Sequence, residues 1–182
     1  IQLITRSSHV IRDLVAARQF EITISELPVA YSSMSVETIR LDCVCMMPLG
    51  HPLAAKSVIS PRDLDGVAFV SIVREHMLTP QIVAAFHTAG ARRTVVAEVE
   101  YFISAASMIT NGDCVGIIDP ITARSFSDQA IFRRFEPQIV YEFGIITSSD
   151  AAPSIPTQNF LALLRAELNA VRSFTSSPEG SD

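Results

Sequence analysis

The chain has 182 residues, 48% of them apolar, and a net charge of −5 at pH 7. That is enough apolar material for one or two small domains with their own cores. Its 14 Lys and Arg residues are scattered, which excludes the basic face needed to grip a phosphate backbone. No apolar run approaches the ~20 residues that cross a bilayer.

Residues 1–6 read as a strand, and because the first residue is Ile rather than Met, the chain is expected to begin inside a domain. Ser7 and Ser8 then offer an N-cap to a helix whose Val10, Ile11, Leu14 and Val15 form an apolar stripe. Residues 20–25 alternate Phe20, Ile22 and Ile24 with polar partners, giving a second strand that ends at Glu26-Leu27-Pro28. Residues 36–47 read as one long strand. Ile39, Leu41, Cys43, Cys45 and Met47 share one face, and the other turns apolar toward its end at Val44 and Met46. Such a strand passes from half-buried to fully buried. It leaves by the turn Pro48-Leu49-Gly50-His51-Pro52-Leu53-Ala54, set by two prolines and one glycine.

Ser60-Pro61-Arg62-Asp63 reads as the start of a short helix, with Ser as cap and Pro at the first position. A strand is expected over 67–72, then a helix over 79–89 with Ile82, Val83 and Phe86 inward and Gly90 as its stop. A strand over 94–99 and a helix over 101–111 follow. A buried strand over 114–118 stops at Asp119-Pro120. Residues 131–135 lead to Pro137, and 140–147 form a long apolar strand. A last helix begins at Ser154-Ile155-Pro156, with Phe160, Leu161, Leu164 and Leu168 as its stripe, before a polar tail over 173–182.

Strands alternating with helices predict parallel α/β units in two clusters. The expected subdomains are 1–45 with 145–182, and 46–144, joined by two crossing strands near Cys45 and Phe143. Cys43 and Cys45 point the same way along one strand and Cys114 stands far off; this is no disulfide framework and fits a reducing cytoplasm. A metal site drawn from Cys43, Cys45 and His51 lacks a ligand on an apolar strand, so buried core thiols are the expected reading. His9, His76 and His87 have no nucleophile partner defined by sequence, and no Gly-rich phosphate loop, HExxH or CxxC occurs. No catalytic residue, metal or cofactor is expected.

The passage from Glu37 through Leu64, with its Gly50-His51-Pro52-Leu53-Ala54 turn, resembles the effector-binding domain of LysR-type transcriptional regulators. The likeness continues through Arg62-Asp63-Leu64-Asp65-Gly66 and the strand and loop from Gly112 to Pro120. Glu26-Leu27-Pro28 and Ile118-Asp119-Pro120-Ile121-Thr122-Ala123 look most like the lysine-biosynthesis and octopine or nopaline regulators. The resemblance implies two Rossmann-like subdomains of the type 2 periplasmic-binding-protein kind, with the first strand and helix of the first subdomain missing here. It also implies a small-molecule effector, DNA contact only through a missing N-terminal helix-turn-helix, a homo-oligomer, a cytoplasmic location and no membrane partner. A periplasmic solute-binding protein and a dehydratase-like enzyme share the fold and stay open as alternatives. Where that family commonly has a second glycine two places after Gly112, this chain has Cys114.

In open α/β sheets, ligands sit beyond the carboxyl ends of strands. Ser7, Ser8, Glu26, Ser71, Tyr101 and Asp119 fall at such ends and are the candidate effector contacts. Ser8 matches the family's effector-contacting Ser/Thr position and suits a ligand carboxylate, or it merely caps its helix. Glu26 and Asp119, one acid on each subdomain, suit an amine or guanidinium, or serve as a solvated loop residue and a helix cap. A basic amino acid or opine-like effector follows from the first pair of readings. Arg74 sits on an expected surface loop.

Overall fold

The structure is a computed structural model and describes residues 2–6, 20–27, 34–149 and 152–176. Ser7, Ser8 and the helix expected after them lie outside the described residues. In chain order, β1 (Ile22–Glu26), β2 (Met34–Asp42) and β3 (Val44–Pro48) precede a 3-10 turn at Pro52–Ala55. Then follow β4 (Val58–Ile59), β5 (Ala68–Ile72), α1 (Leu78–Ala89), β6 (Thr94–Val99), α2 (Phe102–Thr110) and β7 (Gly116–Ile118). The remaining elements are α3 (Pro120–Arg124), β8 (Ala130–Phe135), β9 (Val140–Ser148) and α4 (Ile155–Ser176). The chain divides into two compact units, one of Ile1–Arg40 with Glu142–Glu167 and the other of Leu41–Tyr141 with Leu168–Asp182.

The first unit is built on a three-stranded sheet in the order β1-β9-β2, with β1 antiparallel to β9. Arg165 of α4 is clamped to Glu37 of β2 by hydrogen bonds of 2.7 and 3.0 Å. Residues 2–6 are exposed and take no regular secondary structure, so the strand expected there does not form. The apolar face of α4 also differs from expectation. Thr157, Leu161 and Leu168 are buried while Phe160 is exposed. A step of one residue rotates a helix by about 100°, which puts Phe160 on the flank of the 157, 161, 164, 168 stripe. The helix also runs on to Ser176, into the segment expected as a tail.

The second unit is a mixed sheet between helices. Four strands run in the order β4-β8-β3-β7 and two in the order β5-β6. A parallel bridge from Phe69 to Val115 joins the two sets, carried by backbone bonds from Val70 N–H to Val115 (2.8 Å) and from Val115 N–H to Ala68 (2.9 Å). β6, β5 and the Val115 bridge are parallel, as α/β units require, but β3 is antiparallel to both β7 and β8. β4 is also parallel to β8, so β3 is the strand of the second unit that departs from the parallel arrangement expected.

β3 shows why this sheet is a central layer. Cys45 and Met47 enter the cluster built with Leu78, Ile82 and Phe86 of α1, whereas Met46 enters the one built with Ala105, Ala106 and Ile109 of α2. Both faces of the strand are therefore covered. Each fully buried side chain of this kind contributes roughly 1.5–3 kcal/mol. The single strand expected over 36–47 is broken at Cys43, whose N–H turns to the Ile139 carbonyl at 2.9 Å. The expected helix after Ser60 is instead a run of i→i+3 turns ended by Gly66 at φ 76. Asp63 reaches back to accept from the Ser60 N–H (2.8 Å) and hydroxyl (2.7 Å), so the serine is a donor there rather than a cap.

The glycine-histidine-proline turn behaves as its residues require. Gly50 sits at φ 78, and His51 caps the 3-10 turn by accepting the Leu53 N–H at 3.2 Å. Arg133 of β8 donates to the carbonyls of Ala54 and Lys56, both at 2.8 Å, and fastens the turn to the sheet.

Candidate functional site

Parallel strands end on the same edge of a sheet, so β5, β6 and β7 deliver their carboxyl ends to one edge of the second unit. Ser71, Tyr101 and Asp119 are at or just beyond those ends. The topology thus gathers three of the candidates. Glu26 ends β1 in the first unit, half-buried and opposite Phe143 in the ladder.

The three gathered residues are unequal. Ser71 is 1% exposed, and its hydroxyl is already engaged, donating to the Ile72 carbonyl at 2.9 Å and accepting from Arg93 at 3.1 Å. The Arg93 guanidinium lies over the Phe69 ring, 5.8 Å from its centre. Tyr101 is exposed, and its backbone carbonyl accepts from Ser104 (3.0 Å) and Ala105 (3.2 Å) at the entry to α2. Arg74 is exposed in the turn after β5.

Asp119 carries the unusual chemistry. Pro120 at the first helical position leaves the following amides to be capped, and Asp119 Oδ1 accepts from Ile121 N–H (2.9 Å) and Thr122 N–H (3.0 Å). The helix-cap reading is therefore correct. It is also incomplete, because Oδ2 is buried and has no hydrogen-bond partner among the described residues. Burial pushes the carboxyl above the ordinary carboxylate range, against the lowering pull of Thr122, the Ile121 amide and His76. A buried carboxylate oxygen without a donor is costly, and it is chemically an acceptor awaiting a cation or a proton.

Of the groups that act on Asp119, His76 belongs to an aromatic cluster. His76 packs edge-on against Phe102 at 5.0 Å and stacks on Tyr141 at 5.9 Å, and Phe102 meets Tyr141 at 5.5 Å. His76 Nδ1 accepts the Leu78 N–H at 3.2 Å, so this ring also holds the start of α1. Next to it, the Gln81 amide pairs with the backbone of Val140, donating at 3.0 Å and accepting at 3.1 Å as a neighbouring strand would. Antiparallel pairing of Val44 with Ile118 brings Cys43 alongside Asp119. Burial, and then the Asp119 charge, raise the Cys43 thiol well above its ordinary value.

His76, Phe102, Tyr141 and Gln81 were not among the sequence candidates. His76 and Phe102 had a readable signal, since His76 lies in the short link between β5 and α1 and Phe102 opens α2 directly after Tyr101. Tyr141 and Gln81 had none, because the pairing of Gln81 with Val140 spans 59 residues. An open recess of about 430 Å³ is lined by Asp42, Cys43, Val44 and residues 134–138. Arg134 and Glu136 there pair with each other at 2.7 Å and are largely exposed, so the recess lacks the desolvated charge that Asp119 has. Among the described residues no group of three or more His, Cys, Asp or Glu could hold a metal ion, and no helix is long and apolar enough to cross a membrane.

A family model described as LysR substrate binding domain matches residues 1–169. Regulatory protein NocR of Agrobacterium tumefaciens (strain T37) is 28% identical over 173 residues, covering 94% of this chain and 58% of NocR. The octopine catabolism/uptake operon regulatory protein OccR of Rhizobium meliloti is 24% identical over 160 residues, covering 88% of this chain and 53% of OccR. The chain thus spans a little over half the length of the curated relatives it matches. Among solved structures, HinK, a LysR family transcriptional regulator from Pseudomonas aeruginosa, superposes with a TM-score of 0.72 at 14% identity, covering 92% of this chain and 60% of HinK.

Proposed function

The chain belongs to the LysR substrate-binding domain family, and from that premise we propose that it senses a small cationic metabolite for a bacterial LysR-type transcriptional regulator. The regulator works in the cytoplasm as a homo-oligomer, has no catalytic step, and meets DNA through an N-terminal helix-turn-helix domain. Residues 1–45 with 145–182 act as one effector-binding subdomain and 46–144 as the other. Effector binding stabilises one arrangement of the two and changes the spacing of the DNA-binding domains.

The observation that carries the ligand class is the buried Asp119 Oδ2 with no donor among the described residues. A cation satisfies it, and a charge-assisted bond of this kind is stronger than a neutral one. Ser8, with Ser7, receives the ligand carboxylate, Glu26 adds a second acidic contact, and Ser71 and Tyr101 border the site. A basic amino acid or an opine-like derivative fits that set, and OccR, named for octopine, is a relative. Calorimetry on the natural gene product tests it, with lysine, arginine and octopine set against norleucine as the neutral analogue. Asp119→Asn is expected to weaken the cationic ligands by on the order of 2–5 kcal/mol. Cationic ligands that bind the variant as tightly as the parent would remove the reading.

A further inference from the structure

Asp119 has two oxygens in different states. Oδ1 is saturated, since its two lone-pair directions are taken by the amides of Ile121 at 2.9 Å and Thr122 at 3.0 Å. Oδ2 alone has no hydrogen-bond partner among the described residues, and the residue is 3% exposed. A guanidinium binds a carboxylate best as a fork, with two parallel N–H bonds to both oxygens. That mode would require Oδ1 to release one of the bonds that hold the entry to α3. A cation meeting Oδ2 also leaves its water behind, so every N–H that finds no acceptor is a cost. An ammonium giving one N–H to Oδ2 has two left to satisfy, whereas a guanidinium giving one has four.

We infer that Asp119 grips its effector through one oxygen only, and that the site therefore selects a primary ammonium over a guanidinium. This rests on the cationic-effector reading above and narrows it to lysine-like or ornithine-like ligands and their derivatives.

The test is a matched ligand series on the natural gene product by isothermal titration: ornithine against arginine, lysine against homoarginine, and norleucine as the uncharged reference. In each pair the ammonium member is expected to bind about tenfold tighter, the scale of one charge-assisted hydrogen bond made well rather than poorly. In Asp119→Asn, whose amide oxygen keeps the cap while its NH2 replaces Oδ2, that gap should vanish. Guanidino ligands that bind as tightly as their ammonium partners, with both well above norleucine, would overturn the one-oxygen grip and leave the cationic reading standing. Cations that bind no better than norleucine would remove both. A gap that survives intact in Asp119→Asn would place the selection elsewhere and overturn the inference as well.

Discussion

Replacing Asp119 by Asn isolates the cost of its second oxygen, because the amide keeps an acceptor for the Ile121 and Thr122 amides and is isosteric with the protonated acid. Burial raises the folded-state pKa of this carboxyl, while the unfolded chain titrates near the usual value of about 3.9. A raised folded pKa means that the proton favours the fold. Its contribution is fully present below the unfolded pKa and is lost as pH rises through the folded one. The loss accrues at up to about 1.36 kcal/mol per pH unit between the two pKa values. The groups that act on the carboxyl are Thr122, the Ile121 amide and His76, with the Cys43 thiol alongside, and burial outweighs their lowering effect. Urea unfolding of parent and Asp119→Asn across pH 4 to 8 should therefore give matching stabilities at the acid end and a gap favouring Asn that opens as pH rises. Asp119→Ala serves as the contrast, since it also forfeits two cap bonds and should lose about 0.5–2 kcal/mol at every pH relative to Asn. A parent-to-Asn difference that stays flat, or that opens against Asn as pH rises, would mean that Oδ2 has a donor and is not free to take a cation.

Two further outcomes follow from single contacts. Gln81→Ala removes both bonds to the Val140 backbone and leaves a half-buried peptide unsatisfied, so it should destabilise by about 1–3 kcal/mol in denaturant titration; a change within a few tenths would show that water replaces the amide without loss. Cys43, Cys45 and Cys114 are all buried, and burial pushes Cys45 up to about 12, so thiol labelling of the native protein at pH 8 should be slow and become fast in urea. Prompt labelling of any of the three without denaturant would contradict the packing of β3 and the chain before β7.

Much of this protein was legible from local signals. Gly90 takes the left-handed C-cap of α1, Pro120 opens α3 behind an aspartate, and the parallel β5-α1-β6-α2-β7 run lies close to its expected positions. These depend on one residue's own backbone freedom or on spacing within a turn or two. The resemblance to the effector-binding family was carried by similarly local features, the turn after β3 and the residues around Asp119. Elsewhere tertiary packing prevailed. Cys43 breaks the long strand because Ile139, distant in sequence, claims its N–H, and Asp63 turns Ser60 into a donor where a cap was expected. Phe160 faces outward because the neighbouring stripe of α4 is the one covered. That Asp119 is acidic and caps a helix could be read from its neighbours in sequence. That one of its oxygens is buried without a partner among the described residues depends on which distant strands close around it, since burial is a property of the packed layers and not of any window of the chain.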